Sequence, residues 1–305
     1  MPAVLNTNAA SLYASKNLQS AQSKMATSVE RLSSGLRVNR AKDDAAGLGI
    51  ANALTSQINS ANQGIRNLND GISMVQTAEG AIAAAQEMGQ RILTLATQGA
   101  NGTLGSTERT AIQSEMRQLI SAINGIGTRT KFSDNTLLNV TIGSSAGTAK
   151  FTLQVSNTTT DTISLDQTAF KIIGMGTGTG IAATDNSTGQ ASALINAING
   201  ANVVSGVSAD AATAMQGIQT AANTYITNLS TQRSLLGAYQ NQIEFTVSNT
   251  TELASNLSAA RSNIQDTDYA SETASLTKGQ ILQQAATAML AQANQMPNVI
   301  LSLLK

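Results

Sequence analysis

Three residue types are absent from this 305-residue sequence: cysteine, histidine and tryptophan. Without cysteine the chain can form no disulfide bond, thiolate nucleophile or thiolate metal ligand. Without histidine it lacks the most frequent general base and the most frequent ligand of transition metals. The carboxylates are scattered along the sequence without metal-ligand spacing. We therefore expect no enzyme activity, no cofactor and no bound metal.

Net charge and long apolar runs are also missing. Lys and Arg number 18, as do Asp and Glu, so the formal net charge is zero. Nucleic acid is not expected as a partner, because its phosphate backbone attracts basic surfaces. No apolar run approaches the roughly 18 residues that cross a bilayer, so membrane insertion is not expected either. The N-terminal residues lack the basic-then-apolar plan of a secretory signal, so export would need another route.

Proline and aromatic residues are scarce, with two prolines, four Phe and four Tyr. Proline interrupts helices because it lacks an amide donor and clashes with the preceding turn. Long uninterrupted helices are therefore expected. The apolar side chains are mostly Ala, Ile, Leu, Val and Met, which suit narrow helical stripes better than one thick core.

Apolar residues recur every seven positions in two separated segments, which is the pattern of a left-handed coiled coil. The first segment has two such registers: Ala51, Ile58, Ile65 and Ile72, and Leu54, Ala61, Leu68, Val75 and Ile82. The second segment, interrupted only by Thr250, has Met215, Ala222, Leu229, Leu236, Ile243, Leu257 and Ile264. We predict a mainly α fold with long antiparallel coiled-coil rods.

Both ends of the chain carry weaker stripes of the same kind. Near the start, Leu18, Met25 and Leu32 are spaced by seven. Near the end, spacings of four and three alternate: Leu282, Ala286, Met289, Ala293, Met296 and Ile300. Much of both stripes is Ala or Met, so each end buries little apolar area against roughly 1–2 kcal/mol of backbone entropy per ordered residue. We predict that both ends order only on assembly.

The region between the rods has a different pattern of apolar and polar residues. Residues 107–124 predict a shorter amphipathic helix with Thr107 as its N-cap. Phe151, Leu153 and Val155 alternate with polar residues before a turn and a second alternating stretch, which predicts a β-hairpin. Residues 174–190 are rich in Gly, Ser and Thr. Their glycines do not match a dinucleotide-binding fingerprint, so an exposed loop is expected.

The stretch LSSGLRVNRAKDDAAGLGIANAL, residues 32–54, concentrates five charges: Arg37, Arg40, Lys42, Asp43 and Asp44. A phosphate-binding glycine loop and a catalytic carboxylate pair are the alternatives to a polar joint between two helices. The glycines lack the required spacing, and adjacent helical side chains point about 100° apart. We predict a joint in which a glycine permits a bend and the charges set how subunits register.

Two long parts of the chain carry specific sequence motifs. The N-terminal part contains LNTNAASLYASKNLQ, VERLSSGLRVNRAKDDAAGLGIANAL and GIRNLNDGISMVQTAEGAI, and the C-terminal part runs from ARSNIQDTDYASE to the closing LSLLK. These parts, roughly residues 1–140 and 209–305, resemble bacterial flagellin. The resemblance implies a non-enzymatic structural subunit that polymerises with copies of itself into the flagellar filament for swimming motility.

The resemblance also implies a division of the chain. Residues 1–43 and 267–305 would form an inner tube on assembly, and residues 44–170, with the hairpin, and 209–266 would form the rods. A short variable segment, 171–208, would be exposed, so a flagellin with little or no outer domain is expected. The inner contacts would be made by seven side chains: Leu18, Met25, Leu32, Leu282, Met289, Met296 and Ile300.

Partners follow from the same resemblance. Flagellins leave the cell through the flagellar type III export apparatus with a dedicated chaperone, and they polymerise under a filament cap beyond the hook-junction proteins. The resemblance thus implies a secreted, extracellular filament protein. A host Toll-like receptor would contact Gln90, Arg91, Leu95 and Glu115, although the pattern alone puts Leu95 in the core. The alternatives are a hook–filament junction protein and a secreted or surface glycan-binding adhesin.

Overall fold

The computed structural model describes residues 8–138, 149–166, 170, 194, 197, 198 and 208–303, without the side chains at 149, 150, 166, 208–210 and 296–303. The predicted loop at 174–190 lies outside the described residues. Those described include five helices: α1 (Ala9–Ser34), α2 (Ala45–Gly99), α3 (Ser106–Arg129), α4 (Ser208–Gln265) and α5 (Tyr269–Leu303). They also include four strands: β1 (Lys131–Phe132), β2 (Asn135–Thr136), β3 (Ala149–Gln154) and β4 (Thr162–Asp166). The mainly α prediction is confirmed.

Contacts divide the chain into two compact units. The terminal unit comprises Met1–Asn59 and Ala254–Lys305, and the central unit comprises Ser60–Leu253. Helices α2 and α4 contribute residues to both units. The domain limits predicted from the resemblance, at 43/44 and 266/267, differ from the limits of these units and lie next to helix ends. Which segments form which layer of a filament stays a prediction.

The central unit is built on the seam between α2 and α4. Buried positions on α2 alternate in spacings of three and four from Ala61 to Gly99, the pattern of a coiled coil. Gly99 lies against Met215, and Glu79 pairs with Arg233 at 3.4 Å, so the two helices run antiparallel. The facing side of α4 buries the predicted heptad residues: Met215, Ala222, Leu229, Leu236 and Ile243.

The predicted β-hairpin is formed by β3 and β4, and it packs on α2 at two glycines. The strands pair antiparallel, with Leu153 opposite Ile163. A Cβ atom at Gly64 would lie 1.8 Å from the carbonyl oxygen of Val155, and one at Gly71 would lie 2.3 Å from Cδ1 of Leu153. The hairpin can approach the helix this closely because neither position carries a side chain.

Helix α3 completes the core of the central unit. It begins at Ser106 with Gly105 as N-cap, so the predicted N-cap at Thr107 is wrong. The carbonyl oxygen of Gly105 accepts the amide of Arg109 at 3.2 Å, which closes the first turn before a cap at Thr107 could act. The buried face of α3 supplies Ile112, Met116, Ile120 and Ile123 to the core.

Candidate assembly surface

The terminal unit contains an antiparallel pair of helices, α1 and α5. At one end the side-chain amide of Asn8 donates to the carbonyl oxygen of Ala293 at 2.7 Å, and at the other Arg31 pairs with Glu272 at 3.5 Å. Small side chains let the two helices approach closely, but they bury little apolar area. The buried seam positions are Ala14, Ala21 and Ser28 on α1, and Gly279, Ala286 and Ala293 on α5.

Three of the predicted inner-tube residues lie on the seam within one chain. Leu18, Met25 and Leu32 are half-buried and alternate with the small buried residues of α1 at spacings of four and three. A Cβ atom at Gly279 would lie 3.6 Å from Cβ of Met25, which shows that this side of α1 faces α5. Met25 therefore already lies beside a helix of the same molecule, and the half-buried side chains keep part of their surface exposed.

The other predicted inner-tube residues lie on α5. Leu282 and Met289 are 44% and 66% exposed and lie outside the buried positions of the seam. Met296 and Ile300 belong to α5, but their side chains lie outside the described residues. Among the described members of the predicted set, Leu282 and Met289 thus keep the most apolar surface for another chain.

A groove of about 650 Å³ lies between α1 and α5. Tyr13, Leu282, Met289 and several alanines line it, and Lys24 adds a cation. Exposed apolar surface concentrated in this way is typical of a protein contact site. Of the ten large apolar side chains exposed among the described residues, eight belong to the terminal unit: Leu12, Tyr13, Val29, Ile50, Tyr269, Ile281, Leu282 and Met289.

The predicted polar joint, together with residues 264–268, forms a junction at which four helix ends are capped. Gly35 ends α1 in the left-handed region, with φ 72°. The carboxylate of Asp44 accepts an amide of the first turn of α2 at 2.8 Å. The carboxylate of Asp268 accepts an amide of the first turn of α5 at 2.9 Å. Side-chain oxygens at N-cap positions satisfy amides that have no partner within the helix.

The fourth end, that of α4, is closed by the N-terminal part of the chain. Leu36 and Asp266 form an antiparallel bridge. The amide of Arg37 donates to the carbonyl oxygen of Gln265 at 2.7 Å, and its guanidinium group donates to the carbonyl oxygen of Ile264. The C-terminal cap of α4 therefore comes from a residue 227 positions away in the sequence.

The other predicted joint charges have neighbours in the same chain. Arg40 pairs with Glu30 at 2.7 Å. The carboxylate of Asp43 accepts the amide of Arg40 at 2.9 Å, and this hydrogen bond chiefly lowers the pKa of Asp43 below its ordinary value. Lys42 is exposed. That the joint charges set how subunits register stays a prediction, and most of them have structural roles within one molecule.

The predicted receptor contacts lie on the central unit. The guanidinium group of Arg91 donates to one carboxylate oxygen of Glu115 at 2.7 and 3.0 Å, which links α2 to α3 at the surface. Gln90 is exposed beside them. Leu95 is only 1% exposed and belongs to the core, as its pattern predicted. A partner on this face would contact Gln90, Arg91 and Glu115, while Leu95 would support them from beneath.

In the part of the chain that the structure describes, no group of three or more acidic side chains is placed to bind a metal ion. Over the same residues, no helix combines the length and apolarity that crossing a membrane requires.

Two family profiles match the chain. The bacterial flagellin N-terminal helical region matches residues 5–142, and the bacterial flagellin C-terminal helical region matches residues 218–304. The chain belongs to the bacterial flagellin family. Flagellin from Bacillus subtilis strain 168 is 38% identical over 311 residues, with 99% of each chain covered. The flagellar filament 33 kDa core protein of Treponema phagedenis is 36% identical, with 99% of this chain and 100% of that protein covered.

A solved structure of a putative flagellar hook-associated protein from Vibrio parahaemolyticus has a related fold. The TM-score is 0.53 and the sequence identity 14%, with 73% of this chain and 100% of that chain covered. At this identity the likeness supports the fold alone.

As a flagellin, the chain is a structural subunit that polymerises into the helical filament of the bacterial flagellum and serves motility. Its 305 residues match the Bacillus subtilis flagellin over 99% of either chain, and this size fits a short flagellin without a large outer domain. The family consists of structural proteins rather than enzymes.

The α1 side of the seam of small residues and the caps at Asp44, Asp268 and Arg37 were not found from the sequence, whereas Ala286 and Ala293 belong to the predicted C-terminal stripe. Ala14, Ala21 and Ser28 are spaced by seven, so they would have been found if small residues had counted as seam positions. Asp44 and Asp268 each come directly before a helix, which is a usable N-cap signal.

Proposed function

We propose that this flagellin builds the inner tube of the filament from residues 1–43 and 267–305, which belong to its terminal unit, with Leu282 and Met289 packing against neighbouring subunits. The observation that carries the proposal is a row of exposed large apolar side chains beside a seam of alanines. Because the α1–α5 pair buries mainly small side chains, its stability depends on neighbours more than on its own packing. Residues 44–170 and 209–266 would form the surrounding layer.

The subunit is secreted and acts outside the cell, in the filament. Helices that pack weakly in the monomer suit passage through the flagellar type III export apparatus in an unfolded state, with a chaperone covering the apolar face of α5. Addition then occurs under the filament cap, beyond the hook-junction proteins. The role is mechanical, and no catalytic step belongs to it.

Seeded growth tests this function. Purified subunits should stay in solution alone and should elongate short filament fragments of the same protein, because each fragment end supplies the neighbours that the terminal unit needs. Light scattering and electron microscopy measure the growth. A hook–filament junction protein would add at the end and stop, and a glycan-binding adhesin would not elongate the fragments. No elongation over a range of salt and pH would contradict the proposal.

A second proposed contact is the exposed face of Gln90, Arg91 and Glu115, which would bind a host Toll-like receptor. The ion pair between Arg91 and Glu115 holds both side chains in one arrangement at the surface. Arg91→Ala should lower the signal in receptor reporter cells by roughly tenfold, in the range of an interface hot spot. Arg66→Ala, at an exposed position of the same helix, is the control. An unchanged signal with Arg91→Ala would remove this contact.

A further inference from the structure

We propose that Arg37 is a positioning residue of the filament subunit. By capping the C-terminal end of α4 from the N-terminal part of the chain, it fixes the geometry of the junction and thereby the shape of the filament. The inference rests on polymerisation of the chain, but it does not depend on which side chains line the inner tube.

The end of α4 needs partners from outside the helix. The last four carbonyl groups of any α-helix lack partners within it. Here the amide of Asp266 satisfies the carbonyl oxygen of Ser262 at 2.9 Å. The last two carbonyls, at Ile264 and Gln265, accept from the side chain and the backbone of Arg37, and that of Gln265 also accepts the amide of Val38 at 3.4 Å. One residue thus closes two of the final carbonyls.

The charge of Arg37 also fits this place. The C-terminal end of a helix carries a partial negative charge, which a cation stabilises. The last turn of α4 contains no basic residue of its own. The guanidinium group of Arg37 supplies the missing cation, and its planar set of donors can satisfy a carbonyl oxygen while the rest stays solvated.

Hydrogen bonds on both sides hold Arg37 in position. The amide of Thr267 donates to the carbonyl oxygen of Gly35 at 2.9 Å, and Leu36 pairs with Asp266. Val38, the next residue, is 1% exposed and anchors the segment. Residues 35–38 and 265–267 therefore form a short two-stranded clasp in which Arg37 is the cap.

The clasp lies between helix ends, so its geometry sets the direction in which the chain leaves α1 and α4. A filament repeats the same subunit geometry at every position. A small change of angle in each subunit therefore accumulates along the polymer. Loss of the guanidinium group should alter the twist or curvature of the filament more than the amount of polymer formed.

Three variants test the cap in the monomer: Arg37→Met, Arg37→Lys and the control Lys42→Met. Lys42 is exposed in the same segment, so its replacement removes the same charge without touching α4. In Arg37→Met, amide exchange at residues 260–266 should be about two- to fivefold faster, as expected from loss of a cation at a helix C-terminus. Arg37→Lys should be intermediate, and Lys42→Met and the central unit should be unchanged. Equal exchange in Arg37→Met and the parent, or equal acceleration in Lys42→Met, would overturn the capping role.

The same variants test the consequence for the filament. Each is grown from short wild-type fragments and examined by helical reconstruction. Arg37→Met should elongate but with changed twist or curvature, while Arg37→Lys and Lys42→Met should stay closer to the wild type. An Arg37→Met filament of wild-type shape would overturn the proposal. Lost elongation with faster exchange across the whole terminal unit would also overturn it, because the residue would then serve general stability. Failure of the wild type itself to elongate would count against the proposed function instead.

Discussion

Leu282→Asp and Met289→Asp should each abolish seeded elongation of the filament and leave the central unit folded. Both side chains are exposed on α5 outside the seam, so the monomer loses little by their replacement. In a filament contact, each substitution removes about 1.5–3 kcal/mol of apolar burial and adds the cost of desolvating a carboxylate. Light scattering measures the elongation rate, and circular dichroism of the monomer shows whether the variants keep their helical fold.

A charge-matched control is available on the same helix. Gln284→Asp introduces the same carboxylate at an exposed position of α5 without removing an apolar side chain, so it should elongate at close to the parent rate. Leu282→Ala, which removes apolar area without adding charge, should reduce elongation by a smaller factor than Leu282→Asp. Filaments from Leu282→Asp at the parent rate would show that this face of α5 makes no essential subunit contact.

The heptad pattern predicted the buried face of α4 well, because large apolar residues at seven-residue spacing lie on one side of a helix and are buried together against a partner helix. Met215, Leu229 and Ile243 are all fully buried. Thr250, which was expected to interrupt the stripe, is 6% exposed and keeps the same register. The phase of a long helix is set by the whole stripe, so one polar residue does not turn it away from its partner.

The predicted face of α2 was partly wrong. Ile65 and Ile72 are half-buried, whereas the preceding glycines, Gly64 and Gly71, occupy buried positions. The phase at these positions is set by the hairpin of β3 and β4, which packs against them. A contact between residues about 90 positions apart cannot be predicted from local periodicity. A glycine is also not recognised as a buried position when only large apolar side chains are counted.

The candidate site shows the same limit. Leu18, Met25 and Leu32 have the sequence spacing that an interface with other subunits would need; all three are half-buried in one chain, where Met25 lies beside Gly279 of α5, and their contact with other subunits stays a prediction. The pattern predicts that a stripe is buried, and it does not predict which helix buries it. The contact of Arg37 with the end of α4 was likewise outside the reach of sequence reasoning, because it joins residues 227 positions apart.

Gly64→Ala should destabilise the central unit by about 3 kcal/mol, the upper range for an overpacked position. The new Cβ atom would lie 1.8 Å from the carbonyl oxygen of Val155, which is backbone and cannot move aside as a flexible side chain can. Either the hairpin leaves the helix or α2 shifts, and both expose core residues. The midpoint of urea unfolding measures the loss, and faster amide exchange at residues 149–166 would locate it in the hairpin.

Gly80→Ala on the same helix should change the free energy of unfolding in the opposite direction and stabilise the protein. A Cβ atom at Gly80 would meet nothing within 4 Å, so the substitution only replaces a poor helix former by a good one and should stabilise by about 1 kcal/mol. Because both changes add one methyl group to α2, their difference isolates the contact with the hairpin. If Gly64→Ala also stabilised the protein, the hairpin could not pack on α2 at this glycine, and the buried register of the helix would have to be reassigned to Ile65 and Ile72.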